Sequence, residues 1–245
     1  MIILIFFLLH WYLSLFFQTF FHHRYAAHAM FTMSPATEKV FFVLSWLAQG
    51  SSYLSPQAYG IMHRKHHAYA DTERDPHSPK YDGNLFRMMW NTKNRFLEDL
   101  HEPEDNDERF TQGVPVWRSF DRFTNSRWVR LGWMMAYTAF YVAFATHWWM
   151  FLLLPVHFLM GPLHGAIINW FAHRYGYTNF EVSDTSKNLF PLDVLMLGEA
   201  YHNNHHKKAH DPNFGHRWHE IDPVWPVIRV LDAVGVIRLK PAVSR

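Results

Sequence analysis

His202-Asn203-Asn204-His205-His206, near the end of a 245-residue chain, repeats the histidine pattern of His63-Arg64-Lys65-His66-His67. Working outward, Asn169-Trp170-Phe171-Ala172-His173 precedes the later box, and His23-Arg24-Tyr25-Ala26-Ala27-His28 precedes the earlier one. Positions i, i+3 and i+4 share one helix face. Each HxxHH box is therefore expected to present three imidazoles to a common point, and Asn169 and His173 to share a face. His23 and His28 are five apart and would diverge on an ideal helix, so the helix is expected to end or bend between them. Several converging imidazoles without a thiolate indicate a nitrogen-rich transition-metal centre. One octahedral ion accepts at most about six donors, so nine imidazoles divide better between two metals, as in centres that activate oxygen or water. Chance placement among 19 histidines accounts for His10, His101, His147, His157 and His216, but not for the boxes.

Charge distribution places these boxes beside a membrane. Met1 to His23 carries no Asp, Glu, Lys or Arg and is rich in Leu, Ile and Phe, enough for one span of about 20 residues. A signal peptide cleaved near Ala27-His28-Ala29 is the weaker alternative, because no basic region precedes the apolar run and cleavage would remove the first histidine pair. Leu131 to His173 is also free of formal charge, long enough for two spans of about 20 residues, with a turn near Thr146-His147-Trp148-Trp149 where Trp suits the interface. Arg127, Arg130 and Arg174 flank this hairpin and put both its ends in the cytoplasm.

Val40 to Met62 is apolar, yet Ser45, Gln49, Gly50, Ser51, Ser52, Ser55, Pro56 and Gln57 make it a poor span. A crossing there would also separate His28 from His63, so the segment reads as an interfacial or re-entrant helix. The expected fold class is an all-α integral membrane protein of about three spans, near 2–21, 131–147 and 149–172, with the interfacial helix near 40–62. A helical cytosolic cap, 63–127 and 173–245, completes a single domain, 1–245. This arrangement is multi-pass, with the N-terminus outside and all boxes on the cytoplasmic side.

Absences narrow the chemistry further. There is no cysteine, hence no disulfide, thiolate zinc site, iron–sulfur cluster or fused rubredoxin. No His-Glu-x-x-His and no Gly-x-Gly-x-x-Gly occurs, so electrons must come from a separate protein. The formal net charge of +2 gives no indication of nucleic acid. Arg87, Lys93, Arg95, Lys207 and Lys208 suit anionic lipid headgroups or a thioester carrier, or simply the charge bias of cytoplasmic loops.

The three boxes, in this order around a membrane hairpin, resemble the integral-membrane fatty acid desaturases, specifically the stearoyl-CoA (acyl-CoA) desaturase-like branch in a short, bacterial-type form. Asp75-Pro76-His77, Asn169-x3-His173, Gly198-Glu199-Ala200-Tyr201-His202-Asn203 and Arg217-Trp218-His219 extend the likeness over nearly the whole chain. The resemblance implies a di-iron centre held by His23, His28, His63, His66, His67, His173, His202, His205 and His206, with Asn169 as a further, water-mediated ligand. His77 lies in a matched motif but is not a ligand in that family. The chain departs at His164 to Ile168, where those enzymes carry Thr-Trp along the substrate tunnel, and at Tyr59, where a Trp is expected. Both positions bear on headgroup, chain length and double-bond position.

The implied reaction is O2-dependent insertion of a cis double bond into an acyl chain carried on CoA or a membrane lipid, with O2 as co-substrate. No catalytic residue beyond the metal centre is expected. The implied electron donor is a separate ferredoxin-, rubredoxin- or cytochrome b5-type protein. A membrane di-iron hydroxylase or ketolase acting on a fatty acid, sterol or carotenoid is the alternative within the same scaffold. A metal transporter or sensor would place its ligands inside the spans, whereas here they lie at span ends and in the cap.

Overall fold

Ser34-Pro35 and Ser55-Pro56 each start a helix in the same way: the serine oxygen accepts a hydrogen bond from an amide of the first turn, and proline fills the first helical position. In the computed structural model, which describes residues 1–241, these two starts divide the segment expected to be one interfacial helix. Residues 242–245, the end of the expected cap, lie outside the described residues. Helix α1 (Ile2–Phe17) continues as a π-helical segment (Gln18–Ala27). A short strand β1 (Phe31–Met33) follows, then α2 (Pro35–Gln49) and α3 (Pro56–Tyr69).

Helix α2 runs antiparallel to α1, with Tyr25 bonded to Glu38 and Phe21 packed edge-on to Phe42 at 5.2 Å. Helix α3 then returns along the π segment, from His22 Nε2 on the Leu54 carbonyl at 2.8 Å to His28 beside His63. The segment is thus a hairpin of two helices and not one helix over 40–62. The break falls at Gly50, whose φ of +53° only glycine adopts readily, and where a Cβ would overlap the Tyr137 hydroxyl.

Helix α4 (Leu85–His101), the short α5 (Glu108–Thr111) and α6 (Arg118–Thr124) lead to α7 (Arg127–Phe144). Beyond a turn, Trp148–Leu153 forms a 3-10 segment, followed by α8 (Leu154–Phe158), α9 (Met160–Ala166) and a π turn (Ile167–Phe171). Among the described residues one helix, Ile2–Ala27, is long and apolar enough to cross a membrane. The pair Trp148–Phe158 and Met160–Phe171 passes the same test jointly, but is bent by 74°.

The helix that holds the expected span 2–21 thus runs on to Ala27, and the segment expected to span at 149–172 is two helices meeting at a bend. Helix α7 is shifted from the expected 131–147: its first turn carries Arg127 and Arg130, and it stops at Phe144. Its uncharged part is thus shorter than the ~20 residues of a typical span, and a crossing there would use Arg127 and Arg130 at the interface.

Pro162 explains part of the break, since proline has no amide to donate to the preceding turn. The hairpin tip repairs it. Ser51 Oγ donates to the Phe158 carbonyl at 3.3 Å, and the Gly161 amide donates to Ser52 Oγ at 3.1 Å. Backbone groups freed in an apolar layer need such partners.

After a largely irregular stretch come α10 (His202–Lys207), α11 (Val224–Ala233) and β2 (Ile237–Leu239). β2 pairs antiparallel with β1, Phe31 opposite Leu239. This clasp buries Phe20, Phe21, Phe31, Phe42, Phe214, Ile228 and Ile237 in one core, which ties the C-terminal segment to the end of α1, where the first histidines stand.

Candidate metal centre

The π segment settles how His23 and His28 meet. On an α-helix, positions five apart are turned by about 140°, but a π turn bonds i to i+5. The His28 amide donates to the His23 carbonyl at 3.1 Å, and the two rings lie 5.0 Å apart. The helix does end at Ala27; what aligns the pair is the widening before that end.

All nine box imidazoles converge, in two sets. His23, His28, His63, His67 and His205 form one, and His66, His173, His202 and His206 the other. In the first, Nε2 atoms approach at 2.8 Å (His28–His63), 2.9 Å (His67–His205) and 3.0 Å (His23–His205 and His63–His67). In the second, His173–His202 stands at 3.0 Å and His66–His206 at 3.2 Å. The expectation that each box aims three imidazoles at one point does not hold. His63 and His67 serve the first set and His66 the second, while His205 serves the first and His202 and His206 the second. Neighbouring residues on a helix differ by about 100° in direction, so the consecutive histidines of each box face opposite sets.

Four carboxylates hold rings in place from behind. The Nδ1 atoms of His23, His66, His173 and His206 lie 2.7, 2.9, 3.2 and 2.9 Å from Glu199, Asp75, Asp71 and Asp184. An Nδ1–H donated to a carboxylate leaves Nε2 as a bare lone pair. Lone pairs facing one another at such distances repel unless a cation lies between them. Nitrogen–metal bonds of about 2.1 Å at right angles place neighbouring donors about 3.0 Å apart, so the donor sets fit transition-metal ions. Sequence reasoning passed over these four acids as ligand supports. Asp75 and Glu199 stood in matched motifs, whereas Asp71 and Asp184 lie in turns with no fixed spacing to a box.

Burial, and then neighbouring imidazoles, push His28, His63, His67, His202 and His205 well below the usual histidine range. His206 falls to about 4, chiefly through burial. For His66 burial acts the same way, but the Asp75 charge and hydrogen bond outweigh it and raise the group. Burial would raise Asp71, Asp75 and Asp184, yet the histidines on them hold all three below the ordinary carboxylate range. Most of these imidazoles thus stay neutral donors at neutral pH.

The two asparagines inside the third box also have a task. Asn203 Oδ1 accepts the Asn179 and Phe180 amides at 2.9 Å, and Asn204 Nδ2 donates to the Phe214 carbonyl and Glu220 at 2.9 Å. They fasten a helix of six residues that is too short to hold itself. Asn169, on the π turn, lines the cavity with His202, while His173 sits beyond the helix end. His77 is buried, with its ring 4.5 Å from His66. Of the histidines set aside as scattered, His101, His147 and His216 are exposed. His10 and His157 pair at 2.6 Å, and His157 reaches the Tyr141 hydroxyl, apart from both sets.

A cavity of about 600 Å³ ends at the two sets, with His23, His63, His202 and Asn169 in its wall. Leu15, Leu54, Met62, Met89, Phe96 and Ile168 make the rest largely apolar. Phe86 and Trp90 of α4 line it and are also exposed. The arrangement can admit an apolar chain to the two imidazole sets.

The chain is 28% identical over 222 residues to the sn-1 stearoyl-lipid 9-desaturase of Anabaena variabilis, covering 87% of this chain and 74% of that protein. It is 27% identical over 225 residues to the delta-9 desaturase-like 5 protein of Arabidopsis thaliana, covering 89% and 70%. To an acyl-CoA 5-desaturase of Anemone leveillei it is 28% identical over 217 residues, covering 88% and 64%. The model of the fatty acid desaturase family matches residues 1–236, and the chain belongs to that family of oxidoreductases.

Proposed function

We propose that this chain is an O2-dependent fatty acyl desaturase that inserts a cis double bond near the middle of an acyl chain, using two irons. The observation that carries the reading is the convergence of nine imidazoles into two sets at the end of an apolar cavity. In this reading His23, His28, His63, His67 and His205 hold one ion. His66, His173, His202 and His206 hold the other, with Asn169 placed to act through a water. Bound iron supplies the activation of O2 that hydrogen removal from an unactivated methylene requires.

The chain's own residues do the positioning. Glu199, Asp75, Asp71 and Asp184 fix the orientation and tautomer of four ligands. The apolar wall holds one pair of adjacent methylenes close to the donor sets and excludes water, so that proximity takes the place of diffusive encounter. The substrate is an acyl-CoA or acyl-lipid, and the relatives' names include both carriers. Electrons arrive from a separate ferredoxin-, rubredoxin- or cytochrome b5-type donor. The chain is a single domain, 1–245, anchored by three spans, with the site at the cytoplasmic face.

Lipid analysis of a host expressing the chain is expected to show new cis-monounsaturated acyl chains that require oxygen. Under 18O2 the label is expected in water. Label in a hydroxylated or oxo lipid as the main product would replace this reading with a hydroxylase or ketolase.

A further inference from the structure

The carboxylates behind the imidazoles are shared unequally. Three of the four histidines in the smaller set have one: His66 with Asp75 at 2.9 Å, His206 with Asp184 at 2.9 Å and His173 with Asp71 at 3.2 Å. In the larger set His23 alone is so backed, by Glu199 at 2.7 Å, while the Nδ1 of His205 has no partner among the described residues. The charges around these acids differ as well. Glu199 also receives Thr19 and lies 3.5 Å from the buried Arg24, which pairs with Asp222 at 2.6 Å. Its charge is therefore offset in part, the guanidinium being shared with Asp222.

Asp71, Asp75 and Asp184 are held instead by neutral donors. Asp75 accepts the Asp71 and His77 amides, Asp71 accepts Thr185 and Ser78, and Asp184 accepts the Ser186 amide. The nearby Arg95 donates to the Asp75 backbone carbonyl and not to its carboxylate.

We infer that the two metal positions are inequivalent: the four-imidazole set binds its ion first and more tightly, and holds it at the lower reduction potential. This rests on the nine-histidine reading above. A carboxylate on Nδ1 raises the basicity of the imidazole, and loss of such a partner typically costs about 10–100-fold in metal affinity. Two more backed ligands therefore favour the smaller set by about 100-fold or more. The fifth imidazole of the larger set works the other way, so what remains of this factor acts together with the charge of the three acids. Uncompensated negative charge around the smaller set also favours the more oxidised ion there. Asp71, Asp75 and Asp184 are, in this account, positioning residues that grade the two sites.

Anaerobic titration of the detergent-solubilised apoprotein with Fe(II) tests the inference, with bound metal counted by mass spectrometry and located by anomalous scattering at the iron edge. The first equivalent is expected among His66, His173, His202 and His206. Asp75→Asn and Asp184→Asn are each expected to weaken the tight step by about 10–100-fold and to raise its potential, with the weaker step little changed. Asp184 accepts one backbone amide where Asp75 accepts two, so its variant guards against a folding defect in the other. Glu199→Gln is expected to weaken only the second step. Two ions of equal affinity, or a first ion in the five-imidazole set, would overturn the inference and leave the di-iron reading in place. Fewer than two ions would overturn both.

Discussion

At the residue scale, buried imidazoles set the behaviour of the site. His66 stands in the four-imidazole set with Asp75 behind it. His66→Ala is expected to lower bound iron and to cut turnover by more than about 100-fold, the upper end for losing an outer partner, while the protein still inserts into membranes. His101→Ala and His147→Ala, at exposed positions, are expected to leave iron content unchanged. Equal loss in either would end the division between ligands and bystanders.

The same burial fixes a pH dependence. His28, His63, His67, His202 and His205 sit well below their unfolded value of 6.5. As pH falls through 6.5 the unfolded chain takes up protons that these folded groups refuse, so the apoprotein loses stability on the acid side. His66, raised instead, acts oppositely but is one group against five. Protons also compete with metal for the same nitrogens. Thermal unfolding of the apoprotein is expected at a clearly lower temperature at pH 5.5 than at pH 8, and an unchanged midpoint would contradict the burial argument.

At the element scale, the hairpin of α2 and α3 depends on its tip. Gly50 adopts φ +53° against the Tyr137 hydroxyl, and the neighbouring Ser51 and Ser52 bond the backbone where α8 meets α9. Gly50→Ala is expected to cost about 1–3 kcal/mol in backbone strain alone, with the overlap on Tyr137 added. Denaturation in detergent measures it. Ala at the exposed Gly83, where an added Cβ meets nothing within 4 Å, is the control. Restoration of stability by Tyr137→Phe in the Gly50→Ala background would show that the hydroxyl, and not the dihedral angle, is limiting.

At the scale of the whole molecule, the hairpin decides on which side the ligands gather. His28 before it and His63 after it stand 2.8 Å apart, so the chain must return to its starting side between them. Cysteines introduced near Pro35 and near Asp82, in a chain that has none of its own, are expected to label together from the cytoplasm. Labelling from opposite faces would be incompatible with a shared site.

What the residues determine by themselves is the chemistry: ligand type, family likeness and the uncharged segments are properties of identity and local spacing. Only the tertiary structure decided how the boxes are partitioned, because His66 and His67 turn to different sets according to which faces of α3 and α10 meet, across some 140 positions. Asp71 and Asp184 were likewise invisible as ring supports, since turns bring them to their histidines with no periodicity to read. The bend between α8 and α9 belongs to the same class. Pro162 is legible as a break, but the serines that make it tolerable come from a hairpin more than 100 residues earlier, and local spacing carries no information about such a partner.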